Sequence, residues 1–246
     1  MKKLSLTYIA VGILLLCGSI ESEAAGSKAI ALAYKVQGKV EFTREGRTTT
    51  LKFGTVLDDG DVVKTEKDGF VTLLFTDDKS ILRLRELTEV TIEGKRAQDG
   101  SISKRVSMEI GELFAKVEKQ RGVLEVATAT SVASVKGTEF WVVVDEDGVT
   151  HVTTLEGLVE LMSRMNGKVV EVREAQRGEV DEQGNMNVKD VPKEELKGDP
   201  EPEKEPEGKA EGGAEQKYIE IQYQDADGNA RTLRIEYQPK EGDDGK

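Results

Sequence analysis

His151 is the only histidine of the 246-residue chain and Cys17 its only cysteine, so the residues able to do nucleophilic, acid–base or thiolate chemistry are few. Any Ser-His-Asp triad would have to be built on His151. That residue alternates with valines in Val149-Thr150-His151-Val152-Thr153, the setting of a strand histidine on a surface. With no second histidine and no thiolate outside the N-terminal segment, a zinc site would need carboxylates alone, which is unfavourable. Asp225, Asp227, Asn229 and Glu236 stand at positions 1, 3, 5 and 12 of a calcium-loop spacing. Ala230 occupies the position that requires glycine, however, and the flanks read as strands rather than helices, so a hairpin turn is expected there. Asp58, Asp59 and Asp61, and further on Asp77 and Asp78, form acidic turns. A glycosidase needs two carboxylates at a set separation, but no pair stands out, and aromatic residues for sugar stacking make up only 5% of the chain. No glycine-rich phosphate loop is present. The reading is of no catalytic, metal or cofactor-binding residues.

The N-terminus has the layout of an export signal. Lys2 and Lys3 precede an apolar run from Leu4 to Leu16, and Ser22-Glu23-Ala24 supplies small residues for cleavage after Ala24. The run falls short of the about 20 residues a membrane helix requires. Cleavage removes Cys17, leaving a mature chain without a thiol or disulfide that must hold itself together by core burial. Lys2 and Lys3 offset Glu21 and Glu23, so the net charge of −12 is unchanged by processing. Such a charge argues against phosphate-mediated nucleic-acid binding and against anionic membrane surfaces.

The elements that must position any site are strands. Val36, Val40 and Phe42 surround Gly38; Phe70 to Phe75 is mostly apolar; Ile81, Leu82 and Leu84 follow the turn at Asp77-Asp78-Lys79. Val90 and Ile92, then Met108, Ile110, Leu113 and Val117, then Val123, Leu124 and Val126 continue the series; Leu113 to Lys119 is long enough for one helical turn, but the flanking glycines and valines favour strands. Val149 to Thr154, Leu158 to Met162 and Val169 to Val172 complete it. Short strands at about 8–12-residue spacing, punctuated by Gly and Asp, predict an all-β domain. The five prolines all lie at or beyond Pro192, and the Glu/Lys/Pro/Gly tract around them predicts a disordered linker. The alternation of Ile219, Ile221 and Tyr223, and of Leu233, Ile235 and Tyr237, then predicts a β-hairpin. The expected organisation is a signal peptide at 1–24, a β domain at 29–186, a linker at 187–217, a hairpin at 218–238 and a disordered tail at 239–246.

The segment Val135-Lys136-Gly137-Thr138-Glu139-Phe140-Trp141-Val142-Val143-Val144 runs from a small-residue turn into a hydrophobic strand carrying the only tryptophan. Its Val-x-Gly-Thr-x-Phe pattern follows a series of others. Gly38-Lys39-Val40 comes first. Leu57 with Gly60-Asp61-Val62-Val63 and Thr65 is next, then Gly69, Val71, Leu73, Phe75 and Asp77. Leu82, Leu84, Glu89 and Val90, Ile110-Gly111 with Val117, and Val126 with Thr128 lead up to the segment. Glu156-Gly157 with Val159, and Arg177-Gly178-Glu179, follow it. In this order, from about Gly38 to Glu179, the set resembles the FecR domain of bacterial envelope proteins. Lys79 stands where that family usually has glycine, and Glu179 where glutamine is frequent. Turn chemistry accounts for these residues: glycine permits positive φ at Gly60 and close approach or a kink at Gly137, the Asp61 side chain can accept backbone N–H groups, and Thr138 satisfies local donors.

The resemblance implies one of two roles. Some FecR proteins are inner-membrane anti-sigma regulators with a cytoplasmic N-terminal domain; only three residues precede the apolar run here, so a stand-alone exported module is the closer expectation. The expected fold is two stacked, twisted, antiparallel-rich sheets, as a sandwich or short solenoid, with the Trp141 strand in the core and Phe140 and Trp141 on opposite faces. The expected function is that of a non-enzymatic, periplasmic or secreted interaction module for an unidentified envelope protein or polymer, with no nucleic-acid partner and membrane contact only if the signal is retained. The alternatives are a membrane-anchored periplasmic sensor in FecR-type signalling and a carbohydrate-active or calcium-binding envelope protein.

Overall fold

A computed structural model describes residues 29–97, 101–119, 123–200, 217–224 and 230–237. The export segment, most of the linker, the 225–229 turn with the calcium-loop residues Asp225, Asp227 and Asn229, and the terminal tail lie outside the described residues.

The chain zigzags between two β layers. β1 (Ala31–Gln37) lies in sheet A, β2 (Val40–Arg44) and β3 (Arg47–Thr50) in sheet B, β4 (Val56–Leu57) in A and β5 (Asp61–Thr65) in B. β6 (Phe70–Phe75) and β7 (Ile81–Leu84) return to A, and β8 (Glu89–Arg96) and the first part of β9 (Ile102–Lys116) to B. The rest of β9 crosses into A. β10 (Leu124–Ala127) and β11 (Ser131–Val135) are in B, β12 (Glu139–Val144) and β13 (Thr150–Glu156) in A, β14 (Leu158–Ser163) and β15 (Val169–Arg173) in B, and β16 (Gln176–Val180) and β17 (Met186–Asp190) in A.

Hydrogen bonding orders sheet A as β4-β1-β6-β7-β9-β12-β13-β16-β17. Sheet B runs β3-β2-β5-β8-β9-β10-β11-β14-β15. β9 is shared, so the 17 strands form one continuous hydrogen-bonded system folded into two layers. Among the described residues β9–β10 is the one parallel pairing. The architecture is the expected all-β, antiparallel-rich one.

The core lies between the layers because strand alternation sends every second residue inward. Val71, Leu73, Leu82, Leu84, Leu113, Phe140, Val142 and Val152 from sheet A join Val63, Ile92, Val106, Val126, Val159, Leu161 and Val172 from sheet B in a single buried cluster. Phe140 belongs to that cluster and Trp141 does not, so the two do occupy opposite faces of β12.

Most of the glycines of the family-type pattern sit where the chain changes layer; Gly178 instead lies within β16. Gly111 bends β9 from B to A at φ +112°, and a Cβ there would lie 2.3 Å from Thr88 Oγ1. Gly137 takes β11 into β12 at φ +74°, stacked beside the return crossing at Gly157, where a Cβ would meet the Gly137 carbonyl at 2.9 Å. Only residues without Cβ permit so close a passage of two backbones. Thr138 differs from its expected role: its Oγ1 donates to the Leu158 carbonyl at 3.0 Å, which pins the stacked crossings through an acceptor instead of a donor.

Leu113 to Lys116 is strand, as the flanking glycines and valines favour, with Leu113 and Ala115 facing the core and Glu112 and Phe114 outward. One further expectation changes. The linker begins later than residue 187. Met186–Asp190 pairs with β16 as β17, and Val191 is buried, so the chain stays on the domain until its apolar residues run out. After the gap, β18 (Lys217–Gln224) and β19 (Ala230–Tyr237) form the expected antiparallel hairpin, with Ile219 opposite Ile235 and Ile221 opposite Leu233.

Candidate functional site

The outward face of sheet A carries a row of residues in direct cross-strand register: Arg83, Phe114, Trp141, Thr153, Arg177 and Lys189, on β7, β9, β12, β13, β16 and β17. Each alternates with a core residue of its strand, so the pattern that fills the interior also fixes this row. Large aromatics on an outward face need cover. The Phe114 and Trp141 rings pack tilted with centroids 5.4 Å apart, and the Arg83 guanidinium lies 5.7 Å from the centre of the Phe114 ring.

The cover comes from the chain itself. After β17, a single 3₁₀ turn at Lys193–Glu195 leads into an extended strap, Leu196 to Pro200. Trp141 Nε1 donates to the main-chain carbonyl of Lys197 at 2.9 Å, with the Gly198 carbonyl 3.3 Å away. Lys197 Nζ sits 5.8 Å from the centre of the Trp141 ring and 3.3 Å from Glu112 Oε2. Asp199 Oδ2 lies 2.9 Å from Arg83 Nη1. Under this strap Phe114 is fully buried, Arg83 is 4% exposed and Trp141 5%.

The strap covers only half of the row. On the other side of Trp141 a groove of about 270 Å³ remains open, lined by Glu112, Trp141, Val143, His151, Thr153, Arg177 and Lys197. Arg177 Nε donates to Thr153 Oγ1 at 2.9 Å. His151 faces outward on β13, with Nε2 3.1 Å from Asp145 Oδ2 and Nδ1 3.6 Å from Glu179 Oε1. Glu179 is bridged by Lys189 at 2.7 Å, which together with the neighbouring His151 and Asn187 holds its carboxyl below the ordinary range against the opposing effect of burial. Burial pushes the Asp145 carboxyl upward, but the bonds from His151 and the Val149 and Asp147 N–H groups outweigh it and leave a net depression. His151 thus lies between two carboxylates, with no serine or cysteine among the residues lining the groove.

The acidic turns are structural. Arg44 bridges Asp58 at 3.1 Å and Asp61 at 2.5 Å, and Asp61 Oδ2 accepts the Asp58 N–H at 2.8 Å, the turn role expected of it. Asp59 accepts the Gly94 N–H at 2.9 Å. Asp77 and Asp78 converge on Lys104, whose ammonium is 2.9 Å from Asp77 Oδ1, also contacts Asp78, and lies over the Phe75 ring. Each carboxylate thus has its own cation or backbone donor, and the two acidic turns do not join into one site. Among the described residues no cluster of His, Cys, Asp and Glu is arranged to hold a metal ion, and no helix is long and apolar enough to cross a membrane.

Sequence reasoning missed Arg83, Arg177, Lys197 and Asp199. Arg83 is a cation between apolar strand residues, Arg177 stands in the Arg177-Gly178-Glu179 block read only as a turn and family pattern, and the other two lie in the tract read as linker. The visible signal was a strand arginine flanked by leucines, Leu82-Arg83-Leu84, which places a cation opposite the core.

A search of curated proteins finds no match. Among solved structures, two crystal structures of a candidate anti-sigma factor from Parabacteroides distasonis align at TM-score 0.46, with 20% and 19% identity, over 53% of this chain. The alignment spans 59% of the length of those chains. Residues 61–160, from the start of β5 to the middle of β14, match the family model described as FecR protein. That stretch holds Asp61, the Gly111 and Gly137 crossings and the Trp141 strand, and over those residues the chain is similar to the FecR family.

Proposed function

We propose that this chain is an exported, non-enzymatic interaction module of the bacterial envelope, which binds an extended segment of another protein on the outer face of sheet A. One observation carries the reading: the face already holds an extended peptide, the chain's own strap, by an indole bond to main-chain carbonyls and an arginine–carboxylate bridge. A rigid sheet that offers aromatic cover and a side-chain donor to passing backbone suits peptide recognition. The engagement of the acidic turns by Arg44 and Lys104 favours this role over carboxylate-based hydrolysis.

The test is site-specific photocrosslinking in intact envelopes. A photoreactive side chain at Val143, in the open groove, is expected to give a discrete protein adduct, while one at Thr49 on exposed β3 gives none. Adducts at both positions alike, or at neither, would remove the reading. N-terminal sequencing of the exported protein is expected to begin at Ala25. An intact Met1 would favour the second reading, an anchored regulator held by the apolar run from Leu4 to Leu16.

A further inference from the structure

We infer that the open half of the groove is a second carboxylate-binding site, in which Arg177 receives an aspartate or glutamate side chain of a partner peptide as Arg83 receives Asp199. The inference rests on the proposed peptide-binding role and names the chemistry of the partner.

The row supplies an internal comparison. Trp141 is its centre. Arg83 stands two strands away through Phe114, and Arg177 two strands away on the other side through Thr153. On the Arg83 side a peptide lies across the row with its carbonyl on the indole and its carboxylate on the guanidinium. On the Arg177 side the same spacing of aromatic and guanidinium opens on a groove of about 270 Å³. Among the described residues Arg177 has no carboxylate partner; its one side-chain hydrogen bond runs from Nε to Thr153 Oγ1. That bond fixes the guanidinium plane and leaves its two terminal nitrogens for a forked contact, the geometry that suits a carboxylate.

Two of the neighbouring acids already have cations: Glu112 is held by Lys197 and Glu179 by Lys189, while Asp145 bonds to His151. None of the three bridges Arg177, whose guanidinium stays a local positive fork on a protein of net charge −12. Such a fork selects an acidic residue locally, while the charge of the chain as a whole disfavours strongly acidic partners. A peptide is favoured over an acidic sugar because the adjoining half of the row reads main-chain carbonyls through the Trp141 indole.

The experiment is a titration of the isotope-labelled mature chain with acetyl-Gly-Asp-Pro-amide, followed through backbone amide resonances. Saturable shifts are expected at Thr153 and Arg177. Replacing the peptide's Asp by Asn is expected to weaken binding at least tenfold, as is Arg177→Gln, while Arg177→Lys retains part of the affinity. If Arg177→Gln does not keep the parent's dispersed spectrum, the Asp-against-Asn comparison on the parent protein decides. Equal binding of the two peptides, absence of saturable shifts at Thr153 and Arg177, or shifts confined to Arg83 and the strap would overturn the inference. Glucuronate producing the same shifts at lower concentration than the peptide would also overturn it, in favour of an acidic sugar. An adduct at Val143 that survives Arg177→Gln unchanged would leave the module reading standing and remove this site.

Discussion

Trp141 Nε1 and the main-chain carbonyl of Lys197 meet at 2.9 Å across 56 residues of chain. That bond joins the central strand of the family-type segment to a tract whose composition reads as linker. It ties that tract to the domain, and the outer face of sheet A thereby holds an extended segment of the chain. Replacing Trp141 by Phe keeps the ring against Phe114 but deletes the donor. The expected loss is about 0.5–1.5 kcal/mol of unfolding free energy, the usual net worth of one hydrogen bond. Limited proteolysis should then cut between Val191 and Pro200 sooner than in the parent. Unchanged cleavage would mean the strap is held by its ion pairs alone.

Lys104 is buried among Asp77, Asp78 and the Phe75 ring. Asp77→Ala strips one carboxylate from a buried ammonium and the acceptor from the Ile102 N–H. Losing one partner of a buried pair costs about 3–5 kcal/mol, so urea denaturation of this variant should show a markedly lower midpoint. A midpoint within experimental error of the parent would show that water replaces the carboxylate.

Lys79 stands in the left-handed region at φ +62°, in the turn between β6 and β7. Its side chain is exposed, so Lys79→Gly removes steric strain without opening the core. The left-handed conformation costs a residue with Cβ roughly 1–2 kcal/mol, part of which is offset by the greater unfolded-state freedom of glycine. A gain of up to about 1 kcal/mol is expected in thermal or chemical unfolding. A loss would mean the Lys79 side chain contributes more than its backbone costs.

Glu179 ionises below its ordinary 4.5 because Lys189 bridges it. A depressed carboxyl contributes stability that is present above its unfolded pKa and fades as pH falls through the folded value. Glu179→Gln is therefore expected to be less stable than the parent at pH 6–7, with the gap closing below about pH 4.5. Melting curves of both proteins across that interval test it. A gap that is constant with pH would assign the effect to packing.

Much of the fold was legible along the chain. Short apolar runs marked β6, β7, β12 and β14, and the alternation around Val152 marked β13, because most of the inward residues of these strands are apolar. β3, with its Arg-Thr-Thr-Thr sequence, β16 and β17 carried no such signal, since edge and near-edge strands pair through backbone and can be polar. The glycines were readable as turns but not as crossings between layers. That meaning depends on what passes beside them, as Gly157 does beside Gly137.

The sequence alone determined the all-β class, the order of the FecR-type blocks, the hairpin and the opposite faces of Phe140 and Trp141. These follow from local periodicity and turn chemistry. Tertiary structure decided which outward residues share a row. Arg83, Phe114, Trp141, Thr153 and Arg177 are scattered over 95 positions of chain, and only strand register sets them side by side. It also decided that Asp199 is a ligand of Arg83 and not part of a solvated tract. Burial of the aromatic row required a cover, and the nearest chain able to supply one was the extended segment after β17.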